Sequence, residues 1–308
     1  MSKPRSSKAP AKPLFSCEKG VSQNVVTVRI KGSTNSEHVF LLRGDAHHDN
    51  PDCDIELELQ HLQQAKDRGA GIIDVGDLFC AMQGKFDKRS NKSKVRPEHQ
   101  NGDYLDSLVR TAADFYEPFA HNWISFGQGN HESSICSKLE TNLTERLTQV
   151  LRDRTGAPCL ITGYTGWIRF LIGLSGTSTV STTLWHTHGY GGGGPVTSDV
   201  IQGHRQRAYV EGADIMMSGH THDRWLKEDT KLKLSPDGEV KHIPIWYVKT
   251  PTYKNEYGSG VGGFPIEKGH PPKPIGAWWL TLRPMRKRDK GKERTFMDIE
   301  LVPTSRNR

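Results

Sequence analysis

Five short clusters of metal-ligating residue types recur along this chain in a fixed order, each directly behind a run of apolar or β-branched residues. They are Asp45-Ala46-His47, Gly76-Asp77, Gly129-Asn130-His131-Glu132, His188-Gly189 and Gly219-His220-Thr221-His222. An apolar run that ends at once on a carboxylate or an imidazole reads as a strand delivering a ligand at its C-terminal end. A lone Asp or His in such a place is usually a satisfied polar residue. An ordered set of carboxylates, an amide oxygen and imidazoles is instead the donor mixture for two divalent ions held side by side. The fold must therefore gather five strand ends at one place.

Strands are expected over 25–30, 39–42, 72–75, 123–126, 160–162, 167–172, 179–185, 214–217, 243–249, 278–282 and 295–301, from their β-branched and apolar content between turn residues. Helical periodicity marks 54–68, with Asp54 as its cap and Gly69 as its stop, and also 104–119 and 139–154, the last closed by Gly156. A further helix is expected over 200–211. The polar, basic stretch 85–99 reads as a loop. Helices alternate with strands in the first half and strands dominate the second. That order fits two sheets packed face to face with helices outside.

The 308 residues are long enough for a sizeable core, and no stretch approaches the roughly 20 apolar residues of a membrane helix. Residues 1–22 read as a disordered tail, basic and Pro/Ser/Ala-rich at its start and without the apolar segment of a signal peptide. A single domain is expected over 23–308. Cys17, Cys53, Cys80, Cys136 and Cys159 are odd in number and widely spaced, which suits a reduced, cytoplasmic compartment and neither disulfides nor a zinc knuckle.

The ordered motifs resemble those of the calcineurin-like metallophosphoesterases, whose pattern runs DxH, GD, GNH(D/E), H, GHxH. The Gly76-Asp77-Leu78-Phe79 context is similar to the exonuclease-type and phage-borne branches. Protein Ser/Thr phosphatases carry Asp-Arg-Gly after this motif, where the present chain has Cys80-Ala81-Met82. The resemblance implies an α/β fold, the four-layer α/β/β/α sandwich. It implies two divalent metal ions, manganese foremost, with iron, zinc or cobalt also suited to mixed N/O donors. By family position Asp77 bridges the two ions, Asp45, His47 and His222 complete the first, and Asn130, His188 and His220 complete the second. His131 is then the catalytic residue facing the leaving-group oxygen, as general acid or transition-state stabiliser. The implied activity is a phosphodiesterase or nuclease acting on nucleic acid or nucleotides through a metal-bridging hydroxide. A phosphomonoesterase or cyclic-nucleotide-type phosphodiesterase is the alternative within the same chemistry. A nucleic-acid-binding scaffold is the rival outside it.

Several residues keep two readings. Glu132 either orients His131 or is an acid at a helix start. His186 shares a face with His188 and is an outer partner or core. His48 and Asp49 extend the first motif; Asp49 touches substrate or holds His47, or the two are solvated loop residues. The glycines over 191–194 either cradle a phosphate or form a hinge. Trp278 and Trp279 pack in a strand or stack a base.

The formal net charge of +7 favours an anionic partner, DNA or RNA included. Lys85, Lys88, Arg89 and Lys92, with Lys94 and Arg96 beyond them, follow the Asp77 motif and are the candidates for binding such a substrate. A second basic group lies over 283–294 and a third in the N-terminal tail.

Overall fold

The computed structural model describes residues 15–81, 92–174, 176, 178–192, 194, 196–258, 260, 264–267, 269–289 and 292–306. In chain order the elements are β1 (Phe15–Lys19), β2 (Val25–Lys31), β3 (His38–Arg43), α1 (Ile55–Asp67), β4 (Gly71–Asp74), α2 (Tyr104–Tyr116), β5 (Trp123–Gly127), α3 (Asn130–Leu139), α4 (Leu143–Thr155), β6 (Leu160–Gly163), β7 (Thr165–Gly173) and β8 (Thr179–Thr187). They continue with α5 (Val200–Gln206), β9 (Ile215–Ser218), β10 (Trp225–Leu234), β11 (Val240–Lys249), α6 (Phe264–Glu267), β12 (Trp278–Asp289) and β13 (Lys292–Pro303).

One sheet runs β1-β2-β7-β8-β9-β11-β10 and the other β13-β12-β3-β4-β5-β6. Alternation along the strands sorts side chains between two apolar layers. Phe40, Leu42, Ile73, Ile124 and Leu280 of the second sheet meet Val26, Val28, Ile168, Phe170, Leu184 and Met217 of the first. Leu41, Ile72, Trp123, Phe126 and Trp279 point the other way, into Leu62, Leu108, Tyr116, Leu147 and Leu151 of α1, α2 and α4. On the far face of the first sheet, Trp185, Met216, Ile245 and Tyr247 form a smaller layer with Val210 and Trp225. The order is helices, sheet, sheet and a thin outer layer beside α5, the expected α/β/β/α arrangement.

β3, β4, β5 and β6 are mutually parallel, as are β8, β9 and β11. Within each sheet, strands that run the same way end at the same edge. The turns that carry the five motifs lie at two such edges, those after β3, β4 and β5 at one and those after β8 and β9 at the other, and side chains from both edges converge on one mouth.

The Asp54 cap of α1 holds, with its Oδ1 accepting from the Leu57 amide at 3.1 Å. Four expectations change. β1 occupies Phe15–Lys19 inside the expected tail, because Phe15 and Cys17 pack onto the inter-sheet layer while the strand pairs with β2; residues 1–14 of that tail lie outside the described residues. The helix expected over 139–154 starts later, as α4 at Leu143 with the Asn142 side chain capping the Glu145 amide, while Leu139 ends α3, a helix absent from the expectations that stops at Glu140, whose φ is +52°. α2 ends earlier than expected and passes into a 3-10 turn, Glu117–Asn122, with Pro118 in its first positions. β10 was absent from the expected strands. It forms the edge of its sheet, so its charged and polar residues face solvent.

Candidate metal centre

Asp45 is held with its amide on the Gly76 carbonyl at 2.9 Å, while its own carbonyl accepts from Thr252 Oγ1 at 2.7 Å and the Tyr253 amide at 3.1 Å. The His47 amide donates to the Asp77 carbonyl at 2.9 Å. Turns one and two are thus laced together by backbone. Turns four and five are tied in the same way, by the Gly219 amide 3.0 Å from the His188 carbonyl.

The side chains converge in two groups. Asp45, His47 and His222 each offer an atom within 4.8 Å of the others, and so do Asp77, His188 and His220. In the first group His47 Nε2 lies 3.2 Å from His222 Nε2, and His222 Nε2 lies 3.4 Å from Asp45 Oδ1. In the second, Asp77 Oδ2 lies 3.2 Å from His188 Nε2. Asn130 Oδ1 sits 3.0 Å from His188 Nε2 and 2.8 Å from His220 Nδ1. All seven sequence-selected ligand candidates are therefore at the mouth. The two groups adjoin, since the His220 amide donates to both oxygens of Asp45, at 3.1 and 2.9 Å.

The backbone under these donors is strained. Asp45, His47, Asp77, His220 and His222 adopt φ of +52°, +48°, +54°, +77° and +59°. Side-chain-bearing residues seldom occupy this region, and Asp and His do so at a cost of order 1–3 kcal/mol each. Strain concentrated on potential ligands marks a functional site.

Electrostatics suit cations. Burial would raise the Asp77 carboxyl, but His188 and His131 beside it hold it well below the usual range. Burial opposes charge on His188, yet Asp77 and Asp45 outweigh it and bring that imidazole up to about 9. Burial and the neighbouring His131 and Lys254 charges press His47 well below its ordinary value. Its Nδ1 is buried and has no hydrogen-bond partner among the described residues. Carboxylates, an amide oxygen and imidazoles so packed fit hard-to-borderline divalent ions, and as ligands the imidazoles would be neutral.

His131 lies beside the set. Its amide donates to Asp77 Oδ1 at 2.9 Å, its Nδ1 is 2.5 Å from the Cys80 carbonyl, and its Nε2 is 3.8 Å from Asp77 Oδ2. Glu132 serves backbone: its carboxylate accepts from the Gly129, Asp77 and Phe79 amides at 2.8, 3.1 and 2.9 Å. It starts α3 and fixes the Asp77 turn at once. Burial and the Asp77 charge raise its carboxyl.

His188, not His186, faces the centre; His186 is fully buried with Nε2 2.8 Å from Thr162 Oγ1. His48 and Asp49 are not solvated. His48 Nδ1 lies 2.9 Å from Glu58 Oε2 of α1, and Asp49 accepts from the Cys80 and Ala81 amides at 2.5 and 2.9 Å, so Asp49 pins the loop that carries His131's partner. Trp278 and Trp279 pack, with Trp278 Nε1 donating to the Lys249 carbonyl and Arg68 lying over the Trp279 ring. Lys85, Lys88 and Arg89 lie outside the described residues; Lys92 opens a 3-10 turn, Lys92–Lys94. Gly191 and Gly192 line a cleft next to His220 and His222, while Gly193 lies outside the described residues.

Sequence reasoning passed over Lys254, and it favoured a buried free thiol over catalysis for Cys80, which lies close in sequence to the second metal motif. Cys80 is buried, and its Sγ lies within 4.8 Å of a ring nitrogen of His47 and one of His131. Lys254 reaches the site from the strand β11 side, and nothing near it in sequence marks it.

No family model matches the chain, and no curated protein matches it. Among solved structures, a conserved uncharacterized protein from Streptococcus pneumoniae, described as a predicted phosphoesterase, is similar over 85% of this chain and 99% of that one. The identity is 10% and the TM-score 0.30.

Proposed function

We propose that this protein is a metal-dependent phosphoric ester hydrolase, acting on a phosphodiester of a nucleotide or nucleic-acid strand. One observation carries the reading: seven donors from five strand ends converge in two adjoining groups, five of them on strained backbone. The groups have the composition for two divalent ions. Asp45, His47 and His222 would hold one, Asn130, His188 and His220 the other, and Asp77 would serve both. When bound, such ions neutralise phosphate charge and make water nucleophilic near neutral pH. Manganese is the proposed ion, and iron, zinc and cobalt suit the same donors.

The chain's own groups complete the chemistry. His131 donates its Nδ1–H to the Cys80 carbonyl as a hydrogen bond, so in the imidazolium form Nε2–H is the donor that would pass a proton to a leaving oxygen, leaving the neutral ring. The backbone clamp of Glu132 and Asp49 keeps this ring and Asp77 in register. The free thiols suit a reduced compartment, and among the described residues no helix is long and apolar enough to cross a membrane.

The test is hydrolysis of bis-p-nitrophenyl phosphate by the manganese-loaded protein, with metal content measured in parallel. Activity should vanish on chelation and return on reloading. A protein that binds two ions tightly and cleaves neither mono- nor diesters would be a scaffold.

A further inference from the structure

A cleft of about 280 Å³ opens on His220 and His222. Beyond those two imidazoles its wall includes Lys254, Tyr257, Pro271 and Pro272. Lys254 is positioned from behind the centre. The Tyr253 amide before it is bound to the Asp45 carbonyl, and its own amide donates to Thr252 Oγ1 at 2.9 Å, the same hydroxyl that donates to Asp45. Its side chain is only 13% exposed, with Nζ 2.6 Å from Glu256 Oε1. Its charge acts on His47 and Cys80. Glu256 pairs with this ammonium and helps to hold it charged despite burial. A phosphoryl oxygen reaching the cleft would be a second anionic partner for the same cation.

The lining also offers apolar surface in Tyr257, Pro271 and Pro272. The Tyr257 hydroxyl donates to the His270 carbonyl, which holds the ring next to Pro271 and Pro272. Such a face suits a planar group. The volume is at the small end of ligand pockets. It fits one nucleoside-sized group and not a duplex.

We propose that this cleft seats the organic substituent of the ester, a single nucleoside, with Lys254 Nζ binding a phosphoryl oxygen and Tyr257 stacking on the base. The inference rests on the phosphoester reading and narrows it to a nucleotide ester or the terminal nucleotide of a strand. A charge-assisted hydrogen bond to phosphate is worth about 10- to 100-fold. Loss of one base stack costs about 10-fold or more.

The experiment uses the manganese-loaded full chain and two esters with the same leaving group, the p-nitrophenyl ester of thymidine 5′-monophosphate and methyl p-nitrophenyl phosphate. Binding of thymidine 5′-monophosphate is followed by calorimetry, which needs no turnover. Lys254→Met should lower kcat/KM for both esters and weaken nucleotide binding by about 10- to 100-fold, with metal content unchanged; Lys254→Arg should recover part of the loss. Tyr257→Ala should raise KM for the nucleoside ester alone. Lys254→Gln replaces Lys254→Met if the latter does not fold, as judged by thermal melting. Binding and kcat/KM within about twofold of the parent in the lysine variants would overturn the proposal while leaving the hydrolase reading intact. If the parent cleaves neither ester but loses nucleotide binding on Lys254→Met, the hydrolase reading falls and the cleft stands. A parent that neither cleaves nor binds overturns both.

Discussion

A Cβ on Gly129 would lie 2.0 Å from Asp77 Oδ1 and 2.5 Å from the Asp77 amide nitrogen. The third motif is thus cut to the shape of the second. Gly129 is the cap of α3, and only a residue without a side chain lets the helix start there while Asp77 holds its place between His131 and His188. The same device recurs at Gly219, where a Cβ would fall 2.4 Å from Asp45 Oδ2. Two glycines therefore guard the two carboxylates proposed as ligands.

Gly129→Ala and Asp77→Asn should fail in the same way. The first displaces the carboxylate and the second removes its charge, so each should release metal and abolish hydrolysis. Metal analysis after gel filtration checks this. Either variant keeping two ions and normal turnover would remove Asp77 from the proposed bridging role.

His131→Asn separates chemistry from binding. The ring contacts Asp77 and, with His47 and Cys80, forms a third cluster of donor atoms outside the two proposed ligand groups; if its role is catalytic, metal content should stay near that of the parent. Turnover should fall by about two to four orders of magnitude, the range of general acid catalysis. Loss of both ions would make His131 a ligand.

The strand ends and their motifs were legible because an apolar run closing on Asp, Asn or His is a local pattern. What was not legible depended on partners far apart in sequence. Arg43 ends β3 fully buried, with Nε 2.9 Å from Asp74 Oδ2 and Nη2 2.8 Å from Glu58 Oε1. His48 and the Tyr116 hydroxyl also meet Glu58. No spacing in the chain announces that network, and without it His48 reads as a loop residue. β10 escaped for a different reason: an edge strand need not show an apolar pattern. Lys254 belongs to the same class as Arg43, since only the fold brings it to His47.

Glu58→Gln tests that network. Burial would raise the Glu58 carboxyl, but Arg43 and His48 override it and hold it at about 2. Removing the charge leaves the Arg43 guanidinium with Asp74 as its remaining carboxylate partner. Breaking a buried pair in this way costs about 3–5 kcal/mol, which urea denaturation at neutral pH should report. A loss below about 1 kcal/mol would mean that the pair contributes no more than a surface salt bridge.

Acid sensitivity should appear well above the carboxylate range. Burial depresses the His61 imidazole from 6.5 to about 4, and His186 to about 3. A depressed base is protonated first in the unfolded chain. The stabilisation from keeping it neutral is whole above pH 6.5 and is lost as pH falls towards 4. At 1.36 kcal/mol per pH unit, His61 alone accounts for up to roughly 3 kcal/mol. His61→Gln should therefore narrow its stability gap to the parent between pH 7.5 and pH 5. A gap that stays constant with pH would show that His61 does not titrate in this window.

The basic residues after Asp77 carry the last prediction, and the structure divides them. Lys94 Nζ lies 2.5 Å from Asp52 Oδ2, and Arg96 Nη2 lies 3.2 Å from the Asn50 carbonyl, so these two tie the chain back to the turn after His47. Neutralising them would disturb the site itself. Lys85, Lys88, Arg89 and Lys92 are the ones to change. If they contact a strand, their joint replacement by Gln should weaken single-stranded DNA binding and make the slope of log K against log salt shallower by about 0.7 per lost contact. A small chromogenic diester offers no strand for these residues to contact, so its hydrolysis should barely change. Equal losses on both substrates would give these residues a structural role. A parent protein with no measurable nucleic-acid binding would leave the single nucleotide, not the strand, as the substrate.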